Sequence, residues 1–144
     1  MFKKITVAID GSDASANALR IACDLAGKYG SKIHLVHTPQ TETTAYAVGA
    51  GAMVVTPSQK DLDAAGAKII DEALAIAKEC GQEIAKTHLA HGNAADQILH
   101  CAEEWGADLI VMGRRGLGSF GSLVLGSTSL RVSHLAQCAC LTVA

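Results

Sequence analysis

Short apolar runs alternate with helix-like stripes of apolar residues along the whole chain, and this alternation restricts the fold more than any other feature. The run at 5–9 is β-branched and ends at Asp10-Gly11, and the run at 109–112 is entirely apolar. Runs of this length and character are typical of strands in parallel sheets that are covered on both faces. The strands predicted in this way span 5–9, 33–37, 84–90, 109–112 and 140–143.

A helical segment follows each of the first four predicted strands. Apolar residues recur at three- and four-residue steps in these segments, and polar caps or glycines bound them: Ser12 to Gly30, Leu62 to Gly81, Asn93 to Gly106, and a last helix from Ser127. Parallel strands need such crossovers. We therefore predict an α/β fold, a three-layer open sandwich in which a five-stranded parallel sheet carries helices on both faces. With 144 residues, the chain is predicted to form a single domain, 1–144.

Composition and charge exclude several classes of function. Twelve Lys and Arg stand against 14 Asp and Glu, and only 3% of residues are aromatic, which argues against general nucleic-acid binding. The apolar run at 5–9 is too short for a secretory signal, and the weakly polar stretch at 45–55 is too short to cross a bilayer. We therefore expect a cytoplasmic protein that does not enter a membrane.

The five cysteines show no disulfide pattern, because their number is odd and no Cys-x-x-Cys occurs. We interpret them as small buried hydrophobic residues in a reducing compartment. Cys138 and Cys140 are the one pair close enough in sequence to leave a redox or metal role open. His34 and His37 are predicted to point to opposite faces of a strand, which argues against a metal site there.

The segment 40–59 is rich in Ala, Gly and Thr and lacks clear periodicity. We predict a long loop, and loops of this length in compact domains are usually functional or mobile. A second predicted loop follows the fourth strand and runs from Gly113 to Ser129. Segment 40–59 and the stretch between Gly116 and Gly126 are our candidates for parts that respond to a ligand.

Two glycine motifs in the second loop are rejected. The spacing Gly116-x-Gly118-x-x-Gly121 matches a dinucleotide fingerprint, but only one strand follows it and no acidic residue lies about 20 positions downstream. The spacing from Gly121 to Gly126 matches a P-loop, but Ser127 stands where that loop needs lysine.

A third pattern, Gly113-x2-Gly116-x9-Gly126-Ser127, resembles the ATP-binding branch of the universal stress protein family. The resemblance extends over the whole chain. It includes the opening Val7-Ala8-Ile9-Asp10-Gly11-Ser12 and the strand Leu109-Ile110-Val111-Met112 that precedes Gly113. It implies a Rossmann-like fold of the adenine nucleotide alpha hydrolase type.

Physical chemistry independently favours an anion site here. Glycines at 113 and 116 are expected to allow close backbone approach and positive φ. The residues from Gly126 to Ser129 begin a helix, and free amides at a helix start favour phosphate oxygens, to which hydroxyl groups add donors. Arg114 and Arg115 add positive charge. Asp10-Gly11-Ser12 and this loop both follow strand ends, where open α/β sheets bind their ligands.

The resemblance also assigns expected roles. Asp10 is expected to contact the adenine or ribose, and Mg²⁺ or Mn²⁺ is expected to bridge the phosphates. Thr38 stands where the family commonly has valine. The expected nucleotide-binding residues are Ala8, Ile9, Asp10, Thr38, Met112, Gly113, Arg115, Gly116, Gly126, Ser127, Thr128 and Ser129. In the family the last strand joins two subunits, and the uncharged strand 139–144 favours the same homodimer here.

The predicted function is that of an ATP-binding stress-response or signalling protein rather than an enzyme, since no nucleophile with an assignable base is recognised. Three alternatives stay open. One is a slow ATP-hydrolysing or adenylate-transferring enzyme, for which His91 is a weak candidate base. The others are a cyclic nucleotide as ligand and a nucleotide-free dimeric interaction module. The sequence identifies no downstream partner.

Overall fold

The computed structural model describes residues 1–39, 44–48, 51–55, 57–117 and 126–144. The chain alternates strands and helices, as the sequence predicts. In chain order the elements are β1 (Lys4–Ile9), α1 (Asp13–Tyr29), β2 (Lys32–His37), β3 (Thr44–Val48), β4 (Gly51–Val55), α2 (Gln59–Glu79), β5 (Ile84–Leu89), α3 (Ala94–Trp105), β6 (Leu109–Gly113), α4 (Ser127–Leu135) and β7 (Ala139–Val143).

Five strands form the main sheet in the order β5-β2-β1-β6-β7, and every neighbouring pair is parallel. The chain first builds outward from β1 to β2 and β5. It then crosses back through α3 and continues on the other side of β1 with β6 and β7. The direction of winding therefore reverses between β1 and β6, which is where such sheets bind ligands.

The two faces of the sheet carry separate cores, which confirms the three-layer α/β fold. On one face, alanines of α1 and α2 pack against β-branched and leucine side chains such as Ile5, Val7 and Leu35. On the other face, α3 and α4 pack through Ile98 and Val132 onto Val36, Ile110 and Met112. Small helix residues allow close approach to the sheet, and both faces of the central strands lose contact with water.

The helix starts follow the capping chemistry, at Ser12 and Asn93 as predicted and at Ser58 within the segment that was predicted as a loop. Ser12, Ser58 and Asn93 have extended backbones, and their side chains accept a hydrogen bond from the amide three residues later. Gly30 and Gly106 end α1 and α3 with φ of 65° and 67°, a left-handed conformation that glycine adopts without a Cβ penalty.

The prediction of a loop over 40–59 is wrong. This segment contains β3 and β4, an antiparallel hairpin in which Thr44 pairs with Val55 and Val48 with Gly51, and α2 already begins at Gln59. The hairpin forms its own two-stranded sheet. Its strands satisfy each other's backbone hydrogen bonds, so they do not need the apolar pattern of the main sheet. Residues 40–43, 49, 50 and 56 lie outside the described residues.

The cysteines and histidines are only partly where the sequence places them. Cys23 and Cys101 are buried, Cys138 and Cys140 are half-buried, but Cys80 is exposed at the end of α2, against the expectation of a buried residue. All five thiols are free. His34 lies edge-on to the Trp105 ring beneath α3, whereas the His37 ring lies beside Gly66 of α2, so the two histidines do face opposite sides of the sheet.

In the described part of the chain, no helix is both long enough and apolar enough to span a bilayer.

Candidate functional site

Three segments meet at the carboxyl edge of β1 and β6. The first is Asp10-Gly11-Ser12 after β1, the second runs from Gly113 to Gly116 after β6, and the third is the start of α4. Ala8 of β1 pairs with Met112 of β6, so the two strand ends lie side by side. The backbone of Gly116 lies directly against the Asp10 carboxylate, because a side chain at this glycine would collide with Asp10 Oδ2.

Asp10 is held in place by the turn that it forms. Its Oδ1 accepts hydrogen bonds from the Ser12 amide at 3.0 Å and from Ser12 Oγ at 2.6 Å. Ser12 also caps α1, since its Oγ accepts a hydrogen bond from the Ser15 amide. One serine therefore starts the helix and fixes one oxygen of the carboxylate, while the other oxygen faces the glycine loop.

Gly113 allows the end of β6 to pass close to α1. A Cβ there would lie 3.0 Å from the Arg115 carbonyl oxygen and 3.1 Å from Ala14 Cβ. The prediction of positive φ at residues 113 and 116 is wrong, because the described glycines with positive φ are Gly11, Gly30, Gly81, Gly92 and Gly106. Both positions need glycine because of close approach, and not because of backbone conformation.

The peptide groups of Arg114 join three elements. Its carbonyl accepts a hydrogen bond from the Gly126 amide at 3.0 Å and another from Ser129 Oγ at 2.8 Å, and its amide donates to the Val143 carbonyl at the end of β7. Ser129 is buried, and its hydroxyl also contacts the Gly126 carbonyl at 2.9 Å. The sequence indicated only the charge of Arg114, because a backbone role leaves no signal in the side chain.

The start of α4 differs from the other helix starts. Its N-cap is Gly126, for which no side-chain capping bond is described, and its first turn holds no acidic residue. The first turns of α1, α2 and α3 each contain an aspartate and each have a capping side chain. Ser127 is exposed and Thr128 is half-buried beside these amides. The positive end of the α4 dipole is therefore available to an anion.

The other predicted site residues lie around this edge and differ in how deeply they are buried. Ile9 is buried in the core beneath α1, whereas Ala8 and Met112 pack in the core beneath α3. Thr38 is buried immediately after β2, and the Arg115 side chain is half-buried. The stretch 118–125 lies outside the described residues, so its response to a ligand stays a prediction.

His37 belongs to this edge, although the sequence pattern did not indicate it. Its Nδ1 donates a hydrogen bond of 2.7 Å to the Ile9 carbonyl, which joins the carboxyl ends of β2 and β1. The residue is buried. The signal that could have found it is its position as the last residue of a strand next to the switch point.

His91 follows β5 and is held by the first turns of α2. Its Nε2 lies 3.6 Å from Asp63 Oδ1, and its Nδ1 lies 3.0 Å from Gln59 Nε2. Gln59 and Asp63 also contact each other at 2.9 Å. Both ring nitrogens are therefore engaged by α2. Within the described ranges, no three His, Cys, Asp or Glu side chains are grouped as ligands for a metal ion.

Comparison with known proteins gives a consistent result. The universal stress protein family matches residues 1–144. Universal stress protein YxiE of Bacillus subtilis is 36% identical over 148 aligned positions, which cover 99% of each chain. A universal stress protein crystallised in complex with cAMP aligns with a TM-score of 0.74 at 24% identity, over 99% of this chain and 97% of the other. One from Archaeoglobus fulgidus in complex with dAMP aligns with a TM-score of 0.71 at 24% identity, over 99% and 98%.

Proposed function

Because the chain belongs to the universal stress protein family, we propose that it binds ATP at the edge of β1 and β6 and acts as a nucleotide-dependent stress-response or signalling protein. The observation that carries the proposal is the uncapped start of α4, which opens onto the same edge as Asp10. Two proteins of the same fold have structures in complex with cAMP and dAMP, which are adenine nucleotides.

The roles follow from the contacts at the edge. The amides of Ser127 and Thr128 hold phosphate oxygens, with the exposed Ser127 hydroxyl as a further donor. Arg115 adds positive charge beside them. Asp10 hydrogen-bonds the adenine or ribose through its outer oxygen, and Gly113 and Gly116 let the backbone approach the nucleotide. The Ser129 hydroxyl already bonds two carbonyls, so in this proposal its main role is to hold the phosphate loop in place.

The remaining predicted residues complete the pocket. In the proposal, Ala8, Ile9, Thr38 and Met112 line the nucleoside end, and Gly126 lets the phosphates approach the first turn of α4. In the proposal, Mg²⁺ or Mn²⁺ would be held by oxygens of the nucleotide rather than by a cluster of described side chains, and it would neutralise part of the phosphate charge. The donors and positive charge of the described residues suit the phosphates themselves.

The proposal includes a cytoplasmic homodimer that pairs through 139–144. β7 is an edge strand of the main sheet, and its residues from Cys140 to Val143 are half-buried and uncharged. Light scattering of dilute protein tests this part. A mass of about twice 14.8 kDa is expected, whereas a monomer would reject the dimer and leave the nucleotide site untouched.

The first experiment asks whether the protein carries a nucleotide. Purified protein is denatured and the released small molecules are separated by chromatography, with ATP or ADP near one per chain as the expected result. Empty protein is then titrated with ATP, AMP and cAMP, with and without Mg²⁺, by calorimetry. Gly126→Val should weaken binding about tenfold because its side chain obstructs the phosphates, while Ser58→Ala, which removes the cap of α2, should retain it. No binding of any of the three nucleotides would contradict the proposal.

The proposal is of a binding protein rather than a catalyst. His91, the one candidate base, has both ring nitrogens engaged by Gln59 and Asp63, so neither is directed at a water molecule. ATP turnover is therefore expected to stay well below about one per second, the low end of typical enzymes. Faster turnover that is lost in His91→Asn would replace this part of the proposal with an ATP-hydrolysing enzyme.

A further inference from the structure

Two thiols that are far apart in the sequence lie in one place between α1 and α2. Cys23 lies on the inner face of α1 and is only 2% exposed, whereas Cys80 caps the end of α2 and is exposed. Both line one surface hollow of about 360 Å³. One exposed and one buried thiol therefore share a site that small solutes can reach from one side.

Neighbouring residues bring the same two turns together independently of the thiols. A Cβ at Gly27, one turn after Cys23, would lie 3.3 Å from Nε2 of Gln82, two residues after Cys80. The end of α2 is itself well ordered, since the Cys80 amide donates to the Ile76 carbonyl at 3.0 Å and the Gln82 amide to the Ala77 carbonyl at 2.9 Å. The two turns that carry Cys23 and Cys80 therefore pack against each other, and both residues line the same hollow.

The protonation behaviour of Cys23 agrees with this geometry. Burial raises the pKa of its thiol to about 12, and the charge and hydrogen bonding of the neighbouring Cys80 thiol act in the same direction. Thiols that are buried are poor nucleophiles at neutral pH. Cys80 is exposed and meets an oxidant first, whereas the raised pKa of Cys23 makes its later attack on the oxidised sulfur slow.

We propose that Cys23 and Cys80 form a reversible disulfide that links α1 to α2, with a hydroperoxide as the oxidant. The Cys80 sulfur attacks the outer peroxide oxygen and becomes a sulfenic acid, while the O–O bond breaks to release an alcohol, or water from hydrogen peroxide. The Cys23 sulfur then attacks the Cys80 sulfur. The S–S bond forms, and the departing hydroxide takes up the thiol proton as water.

In total two thiols lose two electrons and two protons, and the hydroperoxide accepts both. One of the two linked helices, α1, begins directly after Asp10-Gly11-Ser12. The disulfide would therefore connect α2 to the helix that starts at the proposed nucleotide site. The inference does not rest on the proposed function, because the sulfurs lie in their own hollow and their chemistry needs no nucleotide.

Peroxide treatment followed by peptide mapping tests the disulfide. The full-length protein is treated with hydrogen peroxide, the remaining thiols are blocked with iodoacetamide, and the digest is analysed by mass spectrometry without reduction. The expected result is a cross-linked peptide pair that contains Cys23 and Cys80, and a fall from five titratable thiols to three. Dithiothreitol should restore all five.

Two variants separate the pair from the other cysteines. Cys80→Ala, at an exposed position that tolerates the change, should keep Cys23 reduced throughout the treatment. Cys140→Ala is the matched control and should still form the cross-link. The inference is overturned if Cys80 ends only as a sulfinic or sulfonic acid in the wild-type protein. It is equally overturned if Cys80 joins a second chain, which would appear as a dimer on a non-reducing gel.

Discussion

The helices α1 and α4 start at the same edge of the sheet, from neighbouring strands, and they start in opposite ways. At α1, Ser12 caps the helix and Asp13 places a carboxylate in the first turn. At α4, Gly126 provides no side chain, the first turn has no acid, and the loop is held instead by the Arg114 carbonyl. One helix neutralises its own positive end, and the other leaves it for a ligand.

The two helix starts therefore have different roles at the site. The capped start of α1 stabilises the fold and orients Asp10 through the same serine hydroxyl. The open start of α4 has glycine as its N-cap, which costs only roughly a few tenths of a kcal/mol relative to a capping side chain, and keeps its amides for phosphate. A capping side chain at the start of α4 should therefore weaken nucleotide binding without loss of stability, whereas removal of the cap of α1 should lower both.

The largest effect is expected from closing the start of α4. In Gly126→Asp, a carboxylate caps the helix and repels phosphate, and backbone φ of −60° with Cβ contacts no closer than 3.4 Å accommodates the side chain. ATP affinity should fall about 100-fold, or roughly 3 kcal/mol. Calorimetric titration at low salt measures it.

Gly126→Asn is the control for charge, because its side chain caps in the same way without a negative charge. Its ATP affinity should fall only about tenfold. Both variants should unfold at the wild-type temperature or slightly above it. Equal affinities for the aspartate variant, the asparagine variant and the wild type would refute an anion site at α4.

The second prediction concerns the pH dependence of stability, which decides at which pH variants of the α1 and α4 helix starts can be compared. Burial first, then the charges of Lys86 and His88, lower the pKa of His34 to about 4. The unfolded chain binds this proton with a pKa near 6.5, so stability falls as the pH drops from about 6.5 to 4, by roughly 3 kcal/mol in all, and is level above 6.5 with respect to this group. Urea unfolding across this range measures the change.

His34→Leu should remove most of that slope, since it removes the titrating group from a fully buried position. A slope that persists unchanged in this variant would assign the pH dependence to other groups. Stability differences among the variants of α1 and α4 should therefore be compared above pH 6.5.

The third effect separates two serines in the first turn of α4. Ser129→Ala removes the hydrogen bonds to the Arg114 and Gly126 carbonyls at a buried position, and should cost about 2 kcal/mol of stability. Ser127→Ala removes an exposed hydroxyl and should change stability by less than about 0.5 kcal/mol, yet weaken ATP binding about fivefold. Similar stability losses in both would contradict the assigned roles.

The smallest effect tests the capped start. Ser12→Ala should lower stability by about 1 kcal/mol, and Ser58→Ala at α2 should cost about the same, because both serines cap a helix. Only Ser12 also bonds Asp10, at 2.6 Å, so ATP affinity should fall a fewfold in that variant alone. Equal affinities in the two variants would show that Asp10 does not depend on Ser12.

Local chemistry made much of the fold predictable. Ser12 and Asn93 mark helix starts because capping depends on residues within one turn, and Ser127 was predicted as the first residue of α4, whose N-cap is Gly126. The central strands β1, β2 and β6 follow from largely apolar runs that are covered on both faces, whereas the edge strand β5 is exposed or half-buried along its length. The hairpin of β3 and β4 was not predicted, because its pairing is satisfied between its own two strands and needs no long apolar run.

The candidate site was predictable in its residues but not in their contacts. The glycine spacing indicated Gly113, Gly116 and Gly126, yet the expected positive φ at the first two was wrong, since these residues are needed for close approach. The contact of Gly116 with Asp10 joins residues far apart in the chain, and no local pattern encodes it. The same holds for the thiols of Cys23 and Cys80.

The class of fold, the starts of α1, α3 and α4 and the open end of α4 were predictable from the chain alone, because propensity, burial pattern and capping act over a few residues. Which strand and helix ends meet depends on the packing of the whole fold. The order β5-β2-β1-β6-β7 places Asp10 beside the glycine loop, and the Arg114 peptide groups join α4 to β7. Such contacts depend on how elements stack on the sheet, and that arrangement is set by the packing of all of them together.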